Sequence, residues 1–371
     1  MLAMAGARLG FDIAILTPHA DAPASRVAAR TILAPHDDPA ALAALAQACG
    51  VITFEFENVP AAALERLEAL GAPAAPGARA LAIAQDRLEE KRFLGEAGIA
   101  TVGYAALAGP ADVAAAFERL GAPLILKTRR GGYDGKGQAW AAGPTQGREA
   151  LAAIGGRESM AEAACDFRRE LAQIAVRGRD GEIALYPLTE SFHEGGILRR
   201  TIAPAEASRE ITAQAQAIAG TLLVALDYVG VIGIEMFETM AGALLVNEFA
   251  PRVHNTGHWT LDGCEVDQFE QHIRAVAGWP LGPTEAVARV EMTNLLGREA
   301  DDWRRLAAEP GARVWLYGKG EARPLRKMGH VNRLSALRTV SRRGHTASGP
   351  APRPGGPGGR AERRPSSARR P

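Results

Sequence analysis

Gly233-Ile-Glu-Met-Phe-Glu-Thr-Met-Ala-Gly-Ala-Leu-Leu-Val-Asn-Glu-Phe-Ala-Pro-Arg-Val-His-Asn-Thr-Gly-His-Trp259 is the stretch that decides the reading of this chain. Val231 to Phe237 and Ala243 to Phe249 are apolar runs of strand length, and Thr239-Met-Ala-Gly242 between them has turn character. The midpoint of Glu235 and Glu248 falls between Ala241 and Gly242, so a hairpin centred there sets the two glutamates opposite each other on one face. Opposed carboxylates repel unless a positive charge lies between them. A hard divalent cation shared with substrate phosphates resolves the conflict, and magnesium suits that ligand set. The alternative is a pair of solvent-facing glutamates splayed apart, and a single bulge would move either one.

Pro251 stops ladder pairing, so the residues after it leave the strand as a loop. Arg252, His254, Asn255 and His258 on that loop form a donor cluster suited to an anionic substrate, or else tie the loop down. Upstream, Pro123 to Thr128 is an apolar strand that delivers Lys127 to the mouth of Arg129-Arg-Gly-Gly-Tyr-Asp-Gly-Lys-Gly137. Those glycines expose backbone N–H groups as a phosphate-cradling loop does, but the spacing is not that of a Walker A loop or a dinucleotide fingerprint. Lys91 sits on a charged helix and reaches the same phosphates or faces solvent. By local pattern Glu162 and Glu170 are ordinary surface acids.

The surroundings agree with a sizeable α/β protein. The chain has 371 residues, 47% hydrophobic and 23% charged, enough for two or three domains with buried cores. Lys+Arg 43 against Asp+Glu 42 gives no general basic character and so argues against a nucleic-acid partner. Arginines concentrate after Arg333, in a Gly/Pro-rich stretch without a periodic apolar face, which reads as a disordered basic tail or the product of a shifted frame. Cys49, Cys165 and Cys264 are scattered and match no disulfide framework or zinc pattern. No apolar run spans a bilayer and no leader is evident, so no membrane partner and a cytoplasmic location are expected.

Four segments follow from composition and periodicity. Residues 1–78 alternate helix and strand signals (Leu2 to Leu9, Phe11 to Leu16, Ala40 to Ala48, Val51 to Phe56, Ala61 to Leu70), implying a parallel sheet covered by helices that opens on a helix rather than a first strand. Residues 79–280 carry the glycine loop and the carboxylate hairpin, with helices expected at Leu81 to Glu96, Ala207 to Leu226 and Val266 to Ala277. Strands are expected there at Arg169 to Val176 and Ile183 to Leu188. Residues 281–332 form a small mixed C-terminal domain, and 333–371 the tail.

In order along the chain, Thr53-Phe-Glu-Phe-Glu-Asn-Val59, Gln85-Asp-Arg87 with Lys91, Lys127-Thr-Arg-Arg-Gly-Gly-Tyr-Asp-Gly-Lys-Gly137, Gly233-Ile-Glu235, Asn247 to Trp259 and Arg326-Lys-Met-Gly-His330 resemble the ATP-grasp superfamily. Within it they resemble the 5-(carboxyamino)imidazole ribonucleotide synthases, over essentially Met1 to Asn332. The resemblance implies an ATP-grasp fold with a Rossmann-like pre-ATP-grasp domain lacking its first strand, a small C-terminal domain, and a homodimer. It implies ATP-dependent carboxylation of 5-aminoimidazole ribonucleotide with bicarbonate, through carboxyphosphate, in purine biosynthesis. A formate-using ATP-grasp transformylase and a nucleotide-binding remnant without turnover are the competing readings.

The same resemblance assigns roles. Glu235 and Glu248 would hold magnesium. Lys91, Lys127, Gly132, Gly135, Lys136, Gly137 and Asn247 would bind ATP, with Glu162 at the adenine and Glu170 at the ribose. Tyr133, Asp134, His254 and Lys327 would surround the reacting groups, and Glu57, Arg252, Asn255 and Arg326 would hold the ribonucleotide. Ser191 stands where the family usually has Asn.

Overall fold

A computed structural model describes residues 1–132, 135–156 and 158–337. The opening region holds α1 (Leu2–Arg8), β1 (Ala14–Thr17), β2 (Arg30–Leu33), α2 (Pro39–Ala48), α3 (Ala61–Ala69) and α4 (Ala78–Ala84). β1 pairs in parallel with β2, a strand that the alternation of residues 1–78 did not single out. The strand expected over Val51 to Phe56 reduces to one parallel bridge, Ile52 with Ala74. Phe54 turns into the core while Phe56 stays 58% exposed, so the run lacks a second buried anchor to extend the pairing.

The single helix expected over Leu81 to Glu96 is two, α4 and then α5 (Arg87–Glu96). Asp86 breaks it by capping α5: its carboxylate accepts from Leu88 N–H and Glu89 N–H, satisfying donors that a helix start leaves open. A four-stranded sheet follows, in the order β3 (Tyr104–Leu107), β6 (Ser159–Ala163), β4 (Leu124–Thr128), β5 (Gln138–Ala141). It is backed by α6 (Asp112–Leu120) and α7 (Pro144–Ala153) around Leu124, Leu126, Val113 and Leu151.

The large sheet has nine strands. Its path is β12 (Leu244–Ala250), β11 (Gly230–Thr239), β7 (Phe167–Arg177), β9 (Thr189–Glu194), β10 (Ile197–Ala203), β13 (Arg289–Leu296), β15 (Lys327–Ser335) and β14 (Ala312–Leu316), with β8 (Ile183–Leu185) beside β7. The β9–β10 hairpin has no counterpart among the expected strands, and β8 is shorter than the run Ile183 to Leu188. The small C-terminal segment adds strands to this same sheet, because β13 pairs with β10. β15 continues to Ser335, past the compositional break at Asn332.

One face of the sheet is covered by α8 (Arg209–Ala225), whose Ala215, Ala219, Leu222 and Leu223 are fully buried against Ile232, Ile234 and Leu171. That spacing of three and four is the apolar stripe of a packed helix. On the other face lie α9 (Thr260–Gly263) and α10 (Gln268–Ala277), with Trp259, Tyr186 and Phe269 in the core. α10 stops at Gly278, whose φ of +75° is the left-handed C-terminal cap. α11 (Trp303–Ala307) packs Leu306 beneath β14 and β15. No helix among the described residues is long and apolar enough to cross a membrane.

Candidate active site

The carboxylate pair is brought together by the β11–β12 hairpin, where Glu235 is the register partner of Glu248. The turn itself is tighter than a symmetrical hairpin about the pair requires: Thr239 N–H donates to Ala243 O at 2.9 Å. From Glu238 with Leu244 at the turn to Met236 with Val246 the register is constant, and then it shifts, so Asn247 is the extra residue of a bulge. Without that bulge Glu235 would face Asn247. The bulge therefore completes the pair instead of breaking it.

The two acids differ electrostatically. Burial, then the neighbouring Glu248, pushes Glu235 up to about 7. Burial works against ionisation of Glu248 as well, but Arg87 and Lys127 outweigh it and hold that carboxyl at about 2. Arg87 donates to Glu248 Oε2 at 2.9 Å and to Gly132 O at 3.0 Å, tying the glycine loop to the hairpin. Arg87 lay inside a quoted motif, yet its own role had no local signal.

Two lysines meet at Glu162, which is buried on β6 rather than on the surface. Lys127 Nζ lies 2.5 Å from Glu162 Oε2 and Lys91 Nζ 3.4 Å from Glu162 Oε1. Burial opposes the charge on Glu162, but the lysines keep its carboxyl below the usual range. Lys91 is neither solvated nor turned to an open cleft: it is 1% exposed and donates to Asn247 O at 2.6 Å. The solvated-face alternative for Lys91 fails because α5 packs on the edge of β12. Glu162, expected to face an adenine, directs its side chain into the lysine pair instead.

In the glycine loop, Gly137 has φ +71° and a Cβ there would lie 2.6 Å from Thr128 Oγ1. Gly135 meets Gly195 and Gly196 of the β9–β10 turn so closely that a Cβ would fall 2.9 Å from Gly195 O. Both positions need glycine for conformation and for space. Lys136 lies on the exposed side of the loop. Tyr133 and Asp134 fall outside the described residues.

A small pocket beside the hairpin is lined by Glu170, Ser191, His193, Glu235 and Asn247. Glu170 and Ser191 are register partners, and His193 contacts the Glu170 carboxylate. Burial works against the His193 cation, but Glu170 and Glu235 raise its affinity for a proton above the ordinary value. His193 had no assigned role, although alternation along Thr189-Glu-Ser-Phe-His193 puts it on the same face as Ser191.

The loop after β12 divides. Arg252 forks onto Glu57 through Nε at 2.9 Å and a terminal nitrogen at 2.8 Å, joining the opening region to the hairpin. His254 Nε2 is 3.8 Å from Glu235 Oε1, and its Nδ1 is 2.8 Å from Thr256 Oγ1. Burial, then Arg252 and Lys327, pushes His254 down to about 3, so it is a neutral imidazole at pH 7. Asn255 keeps both side-chain polar atoms without a protein partner. His258 instead contacts Tyr317, whose hydroxyl lies 3.0 Å from His258 Nδ1 and 2.9 Å from His330 Nδ1. His258 is thus part of the packing under β15 rather than an anion donor. Lys327 opens β15 near enough to influence Glu235, His193 and His254, whereas Arg326 donates to Glu321 O.

Glu235 and Glu248 with Asn247 fit a magnesium ion. Two facing carboxylates leave most coordination positions to phosphate and water oxygens, as that ion prefers.

Three family descriptions match the chain in succession: a ribonucleotide synthetase preATP-grasp domain over residues 1–85, an ATP-grasp domain over 92–269, and a phosphoribosylaminoimidazole carboxylase C-terminal domain over 291–340. The N5-carboxyaminoimidazole ribonucleotide synthase of Brucella melitensis is 48% identical over 90% of this chain and 92% of its own length. The Thermus thermophilus synthetase structure superposes with a TM-score of 0.85 at 43% identity, covering 90% of each chain. The Aspergillus clavatus synthase, solved with ADP and 5-aminoimidazole ribonucleotide, gives a TM-score of 0.84 at 32% identity over 90% of each chain. With an ATP-grasp core, a preATP-grasp domain before it and the carboxylase C-terminal domain after it, this chain belongs to the N5-carboxyaminoimidazole ribonucleotide synthase family.

Proposed function

We infer that the chain is an ATP-dependent ligase that carboxylates the amine of 5-aminoimidazole ribonucleotide in purine biosynthesis. The observation that carries the reading is the alignment of Glu235 and Glu248 beside a lysine–arginine cluster and a glycine loop. That arrangement suits a nucleotide's phosphates. Lys127 and Arg87 neutralise phosphate charge, and the loop from Gly132 to Gly137 offers N–H donors at close range. Glu235 and Glu248 would hold magnesium, which would supply Lewis-acid stabilisation of phosphoryl charge. Asn247, Glu170 and His193 line the small pocket beside the hairpin, and Glu170 would meet the ribose hydroxyls at its edge.

Bicarbonate is the carboxyl source in this reading. A bicarbonate oxygen attacks the γ-phosphorus, ADP leaves, and carboxyphosphate forms. The substrate amine then takes the carboxyl carbon and inorganic phosphate departs with the bicarbonate oxygen. Neutral His254 can accept a hydrogen bond from the amine, but, pushed down to about 3, it is too weak a base to hold the proton, which leaves Asp134 or the departing phosphate to take it. Arg252, Asn255 and Lys327, with Arg326 at the rim, hold the anionic ribonucleotide, and Glu57 orients Arg252. Assembly as a homodimer belongs to the same reading and rests on the family resemblance alone.

The chemistry is tested with bicarbonate labelled by oxygen-18. Transfer of one labelled oxygen into inorganic phosphate, dependent on the ribonucleotide, is expected. Unlabelled phosphate, or turnover with formate in place of bicarbonate, would overturn the assignment.

A further inference from the structure

β12 is the edge strand of the nine-stranded sheet, so its outer backbone groups have no strand to pair with. They are nonetheless covered. Val246 N–H donates to Ala100 O at 2.9 Å, where Thr101 makes a single parallel bridge. Beyond that bridge the backbone cover stops and side chains of α5 take over. Phe249 N–H donates to Glu90 Oε1 at 2.7 Å. Lys91 Nζ donates to Asn247 O at 2.6 Å and approaches Val246 O at 3.4 Å.

In a regular strand successive carbonyls point to opposite sides. At the bulge Val246 O and Asn247 O both turn toward Lys91, which a cation with several donors can hold and a neighbouring strand cannot. Glu90 and Lys91 are 2% and 1% exposed, so their polar ends are turned to this edge, with Lys91 also facing Glu162, rather than to solvent. Placing two ionisable groups there is costly unless both are hydrogen-bonded. The residue between their two anchor points is Glu248. An apolar helix face would bury Phe249 N–H and Asn247 O without partners and leave the bulge free to slip, and a slip returns Asn247 to the position opposite Glu235.

We propose that Glu90 and Lys91 are positioning residues that replace a neighbouring strand along β12, locking the Asn247 bulge so that Glu248 stays opposite Glu235. The proposal rests on the reading of Glu235 and Glu248 as the magnesium pair. It removes Lys91 from the phosphate-binding set and gives it a role one step behind the metal ligands.

Magnesium titrated calorimetrically into the full chain saturated with ADP separates the two layers. Lys91→Met and Glu90→Leu each weaken magnesium binding about ten-fold or more, the range found when support behind metal ligands is lost. Glu90→Gln retains an oxygen acceptor for Phe249 N–H and binds magnesium within about two-fold of the parent. Should Lys91→Met fail to fold, the contrast between Glu90→Leu and Glu90→Gln decides. Glu248→Gln is the control for the underlying reading. If it leaves magnesium affinity unchanged, the metal pair itself is wrong. If Glu248→Gln weakens binding but Glu90→Leu and every folded Lys91 variant bind like the parent, the positioning role alone is overturned.

Discussion

Lys127 and Glu162 offer a cycle whose outcome follows from burial. Glu162 is 3% exposed and has two ammonium partners, Lys127 at 2.5 Å and Lys91 at 3.4 Å. Removing the only partner of a buried charge costs roughly 3–5 kcal/mol. Lys127→Met leaves Lys91 in place, so the loss falls to the size of one charged hydrogen bond, about 2 kcal/mol. Glu162→Gln removes the counter-charge of two ammonium groups, with Lys91 retaining Asn247 O, and costs more, about 3 kcal/mol. Once Glu162 is neutral, losing Lys127 costs little. The double variant is therefore expected near 3 kcal/mol rather than the roughly 5 kcal/mol of independent sites, a coupling of about 2 kcal/mol. Urea unfolding of the nucleotide-free protein measures all four corners. Costs that add to within about 0.5 kcal/mol would refute the buried triad. In the same series Lys127→Met alone should weaken ADP binding by about ten-fold or more, since a charge-assisted phosphate contact is lost.

Glu235 predicts an unusual pH dependence. Its folded carboxyl is raised to about 7, so the folded state binds the extra proton and the metal-free protein loses stability as pH rises from the ordinary glutamate range through about 7. Glu235→Gln removes that slope, and its melting temperature should gain on the parent between pH 5 and pH 8, two values chosen to bracket the titration. A constant difference contradicts the raised carboxyl. Gly137→Ala at φ +71°, with its Cβ 2.6 Å from Thr128 Oγ1, should lower the melting temperature and weaken ADP binding, whereas an unchanged ADP affinity would separate the loop from the phosphates. Arg252→Lys loses the fork onto Glu57 and should raise KM for the ribonucleotide about ten-fold while KM for ATP moves little. Equal changes in both would place Arg252 elsewhere.

The parts of the site that lie close together in sequence were legible there. Spacing set Glu235 opposite Glu248 about a centre half a residue from the real one; the register at the turn would pair Glu235 with Asn247, and the bulge restores the match. The bulge at Asn247 was not legible, because its cause is α5, a distant helix whose Glu90 and Lys91 hold the strand edge. Glu162 read as a surface acid for the same reason: its lysine partners arrive from α5 and β4. His193 becomes meaningful only when β9 pairs with β7 and brings Glu170 alongside. The helix break at Asp86 had a visible cap residue, yet the charged helical pattern on either side masked it. In the opening region, alternation pointed to a parallel sheet but missed β2, the actual partner of β1, and overextended the segment at Val51, where a single bridge forms.

The most direct test of the account is ADP release by the purified chain with ATP, magnesium and bicarbonate, measured with and without 5-aminoimidazole ribonucleotide. The account predicts release that depends on the ribonucleotide and matches carboxylated product one to one. ADP release indifferent to the ribonucleotide, with nucleotide binding intact, would contradict it.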